Sequence, residues 1–267
     1  MAGPIITLTT DFGLVDEYVG VLKGVILSYL CDARIIDITH AIAPQDISGA
    51  STILTRAAAF FPDSTVHLAV VDPGVGSSRS ILAVKTARHI FVGPDNGILS
   101  PFLRADPVAV HQVTNTELFR SPVSPTFHGR DIMAPVTARL AGGMDISRVG
   151  PAVPIETCRL PATPEPHFAG DQLVGRIISR DHFGNLRSNI SVNEIEKLPG
   201  KGKIVLQAGG MTISGLNTTY AEKNPGELIA LIDSSGFVEI AVVGGNAVIA
   251  TKIGLGGTII LSRLGPH

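Results

Sequence analysis

The sequence predicts an α/β fold in two parts, and three observations carry that prediction. Up to about residue 150, apolar β-branched runs alternate with segments of helical periodicity, the pattern of a Rossmann-like domain with a mostly parallel sheet. The stretch 151–170 then holds Pro151, Pro154, Pro161, Pro164 and Pro166, which disfavour regular structure and read as a semi-rigid linker. From 171 to 267 short strands are separated by Gly, Asn and Ser clusters, so this part is expected to be mostly β, a small barrel or sandwich.

The elements follow in order. A strand from Ile5 to Thr9 leads through Asp11-Phe12-Gly13 into a helix over about Glu17 to Leu30, where Val21, Leu22, Val25 and Ile26 recur at helical spacing. A second strand spans Arg34 to Ile38. Asp46 can cap the next helix, about Ile47 to Phe60, whose buried stripe is Ile47, Ala50, Leu54, Ala57 and Ala58. Thr65 to Val71 is apolar enough to be a buried strand of a parallel sheet. Strands near Ile81 to Lys85 and Ile90 to Val92 come next, before Gly93-Pro94-Asp95-Asn96-Gly97 breaks the pattern ahead of a short helix toward Leu103. A strand near Val108 to Val113 completes a sheet of about six or seven strands. Thr126-Phe127-His128-Gly129-Arg130-Asp131 opens a last helix to about Leu140, which Gly142-Gly143 ends. In the second part, strands are expected over Leu173 to Ile178, Lys203 to Leu206, Leu228 to Ile232, Val238 to Val242 and Thr258 to Leu261.

With 267 residues, 45% hydrophobic and 16% charged, the chain can bury a large core. A formal net charge of −2 without blocks of like charge argues against nucleic acid or an anionic membrane as the main partner and favours small molecules. Charged or polar residues interrupt every apolar run well short of the roughly 20 residues that span a bilayer. The start lacks a basic n-region and a cleavage site, which points to a cytoplasmic protein. Cys31 and Cys158 have no paired spacing, so neither a zinc site nor a disulfide framework is suggested.

Four polar clusters stand at predicted element ends. The glycine-rich loop Val71-Asp72-Pro73-Gly74-Val75-Gly76-Ser77-Ser78-Arg79 joins two strands, so it lacks the third glycine and following helix of a dinucleotide fingerprint. Asp72 and Arg79 within it form either a site at a strand's carboxyl end or a structural ion pair. Asp11 and Asp16, after the first strand, suit either ribose hydroxyls or helix capping. His128 precedes a helix that favours its neutral imidazole; the alternative is a capping or core histidine. Asp181-His182-Phe183-Gly184-Asn185 offers an aromatic face beside an amide, or an Asp-initiated hairpin turn with a packed Phe. His40, His67, His89, His111 and His167 have no comparable context. Asp37-Ile38-Thr39-His40 and His128-Gly129-Arg130-Asp131 contain ligand types without the donor spacing of zinc, so no catalytic metal is expected.

Together, Thr10-Asp11-Phe12-Gly13, Val71-Asp72-Pro73-Gly74-Val75-Gly76, Gly93-Pro94-Asp95-Asn96-Gly97, His128-Gly129-Arg130-Asp131 and Asp181-His182-Phe183-Gly184-Asn185 resemble the S-adenosyl-L-methionine hydroxide adenosyltransferases, the hydrolase relatives of fluorinase and chlorinase. The resemblance implies an α/β N-terminal domain and a β-barrel-like C-terminal domain. It also implies a homotrimer with active sites at subunit interfaces, between the N-terminal domain of one subunit and the C-terminal domain of its neighbour. The implied reaction is displacement at the ribose C5′ of S-adenosyl-L-methionine by water or hydroxide, without metal or cofactor, giving adenosine and L-methionine. The water-activating set implied by resemblance falls on Asp72, Arg79 and His128. Asp11, with Asp16 beside it, matches the ribose ligand, and Thr126 and Phe127 match a substrate-lining stretch. Asp181 matches the ligand of the methionine amino group, while Phe183 and Asn185 line the adenine and methionine ends. Ser234 matches a methionine-carboxylate contact, and Glu239 and Gly244 fall near adenine. Arg187 and Ser235 depart from the fluorinase pattern. A halide would meet the Asp72 carboxylate, which like-charge repulsion opposes.

Overall fold

The computed structural model describes residues 3–162 and 164–264. They fall into two compact units, Met1–Pro161 and Ala162–His267.

In the first unit the strands are β1 (Ile5–Thr10), β2 (Arg34–Thr39), β3 (Val66–Val70), β4 (Ile81–Lys85), β5 (Ile90–Pro94) and β6 (Ala109–Gln112). They form one six-stranded sheet in the order β2-β1-β3-β5-β4-β6. The first four in that order run parallel; β4 is antiparallel to both its neighbours. The reason is connectivity. Between β4 and β5 there is only a tight turn, in which Thr86 N donates to the His89 carbonyl, and a parallel pair would need a long crossover.

Period-two alternation sends the strands' side chains to two helical layers. Val66, Leu68 and Val70 of β3 share a core with Leu22, Val25 and Ile26 of α1 (Tyr18–Tyr29) and with α4 (Ala134–Ala141). Ala69 and Val71 face the other way, against Leu54 of α2 (Ile47–Ala58) and Phe102 of α3 (Ser100–Arg104). Asp46 caps α2, its Oδ1 accepting from Gly49 N at 2.8 Å.

The helix expected from His128 onward differs at its start. Residues Gly129–Met133 form a wider π-helical turn before α4 begins. Pro135 has no N–H to return to Asp131, four residues earlier, and the Asp131 carbonyl instead accepts from Arg120 N at 2.8 Å. Of the proline-rich stretch, Ala152 bridges His111, and Val153, Ile155, Cys158 and Leu160 pack on the first unit's core.

The second unit holds β7 (His167–Ala169), β8 (Gln172–Arg180), β9 (Leu186–Ser191), β10 (Ile204–Ala208), β11 (Met211–Ser214), β12 (Leu228–Ile232), β13 (Phe237–Val242) and β14 (Thr258–Arg263), with short helices α5 (Val192–Glu196) and α6 (Ala247–Thr251). The antiparallel order is β11-β10-β14-β8-β9-β13-β12, with β7 beside β8. Asn217, just after β11, bridges Leu231 of β12, so the two ends of the sheet approach and the barrel nearly closes. Its interior is a separate core that includes Leu173, Leu186, Ile240 and Leu261. Among the described residues no helix is long and apolar enough to cross a membrane.

Candidate active site

β1 and β3 are parallel neighbours whose register pairs Thr10 with Val70, so the residues that follow them emerge at one edge of the sheet. Open α/β sheets bind ligands at this carboxyl edge. Here the strands deliver Asp11 and Asp72. Asn96 Nδ2 donates to the Val71 carbonyl at 2.8 Å and fixes the strand end before Asp72.

A cavity of about 240 Å³ opens there, lined by Asp11, Phe12, Gln45, Val70, Asp72, Pro73, Val75, Thr126, Phe127, His128 and Gly129. The Asp11 Oδ2 accepts from Gln45 N at 2.9 Å. Gln45 holds φ +67°, a left-handed conformation unusual for its type. Glu17 is the N-cap residue of α1 and no side chain caps that helix, so the capping alternative for Asp11 and Asp16 is not realised. Asp16 is exposed and is not among the described residues lining the cavity.

Asp72, Arg79 and His128 meet as one hydrogen-bonded set. Arg79 Nε donates to Asp72 Oδ1 at 2.8 Å and its Nη2 to Asp72 Oδ2, a two-pronged pairing of side chains only 10% and 5% exposed. The same Nη2 lies 3.0 Å from His128 Nδ1. A guanidinium only donates, so Nδ1 is the acceptor and the imidazole proton sits on Nε2. Burial, and then the Arg79 charge, hold the His128 pKa below its ordinary value, so the ring is neutral at neutral pH. Arg79 is not among the described residues lining the cavity; it grips two that are.

Gly76 lets the two contributing loops meet. Its φ is +79°, and a Cβ there would lie 2.5 Å from the Pro125 carbonyl oxygen. Asp131, 1% exposed, accepts from Ser124 N at 2.9 Å and from both prongs of Arg130, which fixes the loop carrying Thr126 and Phe127. Phe127 packs edge-on against Phe12 at 5.7 Å and Tyr18 at 5.5 Å. Phe12, Tyr18 and Gln45 join the site without a role that residue type alone would give them. Phe12 was visible in its motif, whereas Gln45 acts through its backbone and leaves no side-chain signal.

The second unit brings together a different set. Asp181 and Asn185 close the β8–β9 turn: Asp181 Oδ1 accepts from Asn185 N and Oδ2 from Asn185 Nδ2, each at 2.9 Å. The Asp-initiated turn of this motif is thus present, but the packed Phe expected with it is not, since Phe183 is 72% exposed. Arg187 faces Glu239 across the β9–β13 pair and lies 3.3 Å from its Oε2, with Asp181 and Asp233 each at 3.7 Å. Tyr220 donates to Glu239 Oε1 at 2.6 Å. Burial, followed by that hydrogen bond and the Glu239 charge, pushes its phenol up to about 12. Ser234 is exposed in the β12–β13 turn beside Asp233, while Gly244, with φ +64°, lies past the far end of β13. Neither Tyr220 nor the gathering of acids around Arg187 has a signal in local sequence, since both depend on contacts between distant strands and loops. Among the described residues no group of three or more His, Cys, Asp or Glu side chains is placed to hold a metal ion.

A family model described as the SAM hydroxide adenosyltransferase N-terminal domain matches residues 6–150, and one for the C-terminal domain matches residues 175–260. An (R)-S-adenosyl-L-methionine hydrolase from Salinispora tropica is 39% identical over 247 residues, 91% of this chain and 92% of that protein. A fluorinase from Actinoplanes is more distant, 28% identical over 269 residues, 89% of this chain and 90% of that protein. The crystal structure of an uncharacterized conserved protein from Thermotoga maritima superposes with a TM-score of 0.90 at 37% identity, covering 97% of this chain and 100% of that one.

Proposed function

The chain belongs to the SAM hydroxide adenosyltransferase family, and we infer that it hydrolyses S-adenosyl-L-methionine to adenosine and L-methionine by attack of water or hydroxide at the ribose C5′. The observation that supports this most is the Asp72, Arg79 and His128 set beside a cleft walled by Phe12, Val70 and Phe127.

The sulfonium of the substrate leaves as a neutral thioether, so its departure needs no acid. The requirement is a nucleophile held in line with the C5′–S bond at about 3–3.5 Å. In this reading His128 donates Nε2–H to a lone pair of the water, and Asp72 accepts its proton as the C–O bond forms. The C–S electron pair stays on sulfur, and the proton passes from Asp72 to solvent. The Asp72 carboxylate and the sulfonium both lose charge along this path, so apolar walls favour the transition state over the separated charges. Arg79 holds the Asp72 carboxylate and the His128 acceptor in the required directions.

Asp11 takes the ribose hydroxyls, with Asp16 beside it, and Thr126 and Phe127 line the sugar. Asp181 takes the methionine ammonium and Ser234 its carboxylate. Phe183, Asn185, Glu239 and Gly244 line the remaining substrate. One substrate must then be held by residues of both units, which the homotrimer implied by the resemblance would supply from neighbouring subunits. The reading needs no metal and no cofactor, and a cytoplasmic setting supplies the substrate.

The test is incubation of chelator-treated protein with S-adenosyl-L-methionine in ¹⁸O-water, followed by mass spectrometry. Labelled adenosine with equimolar methionine, lost in Asp72→Ala, is the expected outcome. Bound but unchanged substrate would replace the hydrolase by a sensor, and loss of turnover on chelation would overturn the metal-free mechanism.

A further inference from the structure

Beneath the Asp11 turn a row of polar side chains runs from the surface into the sheet, and the reaction above makes no use of it. Lys23 Nζ donates to Asp37 Oδ2 at 2.6 Å, Asp37 Oδ1 lies 3.1 Å from His40 Nε2, and His40 Nδ1 lies 2.8 Å from Thr10 Oγ1. Thr10 is fully buried and His40 is 4% exposed. The row exists because the strands slip. β1 and β2 pair in step from Ile5 with Arg34 to Leu8 with Asp37, and then Thr9 faces Thr39 rather than Ile38. The extra residue brings His40, instead of Thr39, level with Thr10.

Donor and acceptor chemistry gives the row a direction. The Asp37 carboxylate only accepts and carries the charge that Lys23 balances, so the imidazole proton belongs on Nε2. That contact is poorly aligned and acts chiefly by charge. His40 Nδ1 is then the acceptor for the Thr10 hydroxyl, which leaves the Thr10 oxygen lone pairs for a backbone donor. Phe12 N fills that role at 3.2 Å, and Gly13 N donates to the His40 carbonyl at 2.8 Å. Both residues after Asp11 are therefore tied to His40, one through Thr10 and one directly.

We propose that His40 is a positioning residue for the ribose subsite: through Thr10 it sets the turn that aims the Asp11 carboxylate at the ribose hydroxyls. This rests on the reading of Asp11 as the ribose ligand. A histidine present only to fill space would be indifferent to the Thr10 hydroxyl and to which hydroxyls the bound sugar carries.

The experiment compares adenosine with 2′-deoxyadenosine by titration calorimetry. A charge-assisted hydrogen bond to the 2′-hydroxyl makes the wild type favour adenosine by about tenfold or more. Thr10→Val, which keeps the volume, and His40→Ala are expected to bring that ratio to within about twofold of unity by weakening adenosine alone. Thr10→Ser and His40→Asn, which keep a hydroxyl and an acceptor, are expected to retain it. Thermal melts confirm that each variant is folded. A folded Thr10→Val protein with the wild-type ratio would overturn the proposal, even where Asp11→Asn abolishes the ratio and so upholds the ribose reading. A wild type that binds both nucleosides equally would overturn the ribose reading and this proposal with it.

Discussion

His67 makes the first unit sensitive to mild acid, and the effect can be worked from its surroundings. It is fully buried in β3, stacked on Phe91 at 4.8 Å and edge-on to His89 at 4.9 Å. Its Nδ1 is 2.7 Å from Thr7 Oγ1, and its Nε2 has no hydrogen-bond partner among the described residues. Burial, reinforced by His89, lowers its pKa from 6.5 to about 3. Between those two values the unfolded chain binds a proton that the folded chain does not. The contribution is complete above the unfolded pKa and is lost as pH falls below it. At about pH 5 the loss is near RT ln 30, roughly 2 kcal/mol, with no solvent screening to reduce it. That corresponds to about 4–8 °C in melting temperature for a unit of this size. Asp37 and Asp131, whose pKa values are lowered below 3.8, add little until the pH is lower still. Guanidinium unfolding at about pH 7 and about pH 5 should show the wild type losing about 2 kcal/mol more than His67→Gln, which keeps a partner for Thr7. Equal losses in the two proteins would refute the reasoning.

Four further outcomes follow from the candidate site. Burial and the Arg79 charge hold the His128 pKa below 6.5, so kcat should fall on acidification along a limb centred below about pH 6.5, as the ring gains a proton and faces Arg79; a limb centred higher would contradict the assignment. Asp72→Asn should lower kcat by about 10²-fold or more with KM changed by less than about threefold, measured as adenosine release. Arg79→Lys should lose about as much activity as Arg79→Ala, because an ammonium cannot reproduce the two-pronged contact, and substantial rescue by Lys would show that charge alone suffices. Gly76→Ala must adopt φ +79° and displace the Pro125 carbonyl, so it should cost about 1–3 kcal/mol in denaturant unfolding and reduce turnover by separating the loops that carry Asp72 and His128.

What the sequence made legible was local. The apolar run before Asp72, the Asp46 cap and the glycines that end α4 each act within a few residues, and all are read directly from residue type. β9 carries no clear strand signal because Arg187, Ser188, Asn189 and Ser191 make it polar, although its burial alternates along the strand. The grouping of Arg187 with Asp181, Asp233 and Glu239 joins positions as far as 58 residues apart and depends on antiparallel register. The His40 contact is subtler, since an unslipped strand would have put Thr39 there. Register is settled by whole-sheet packing, and no short window of sequence contains it.

The position of Arg79 ties the local motif to the chemistry. A carboxylate as buried as Asp72 loses several kcal/mol of hydration unless a cation with fitting geometry replaces it. Arg79 meets both carboxylate oxygens and, from the same nitrogen that serves one of them, reaches His128. The direction of the Asp72 lone pairs and the tautomer of His128 are therefore set by one side chain, seven residues from the first and forty-nine from the second. Because that side chain is not among the described residues lining the cavity, its charge is spent on orientation, and the two members of the set left facing the cleft are one acceptor, Asp72, and one donor, His128. That pair is what a single attacking water requires: the donor fixes a lone pair and the acceptor receives the proton.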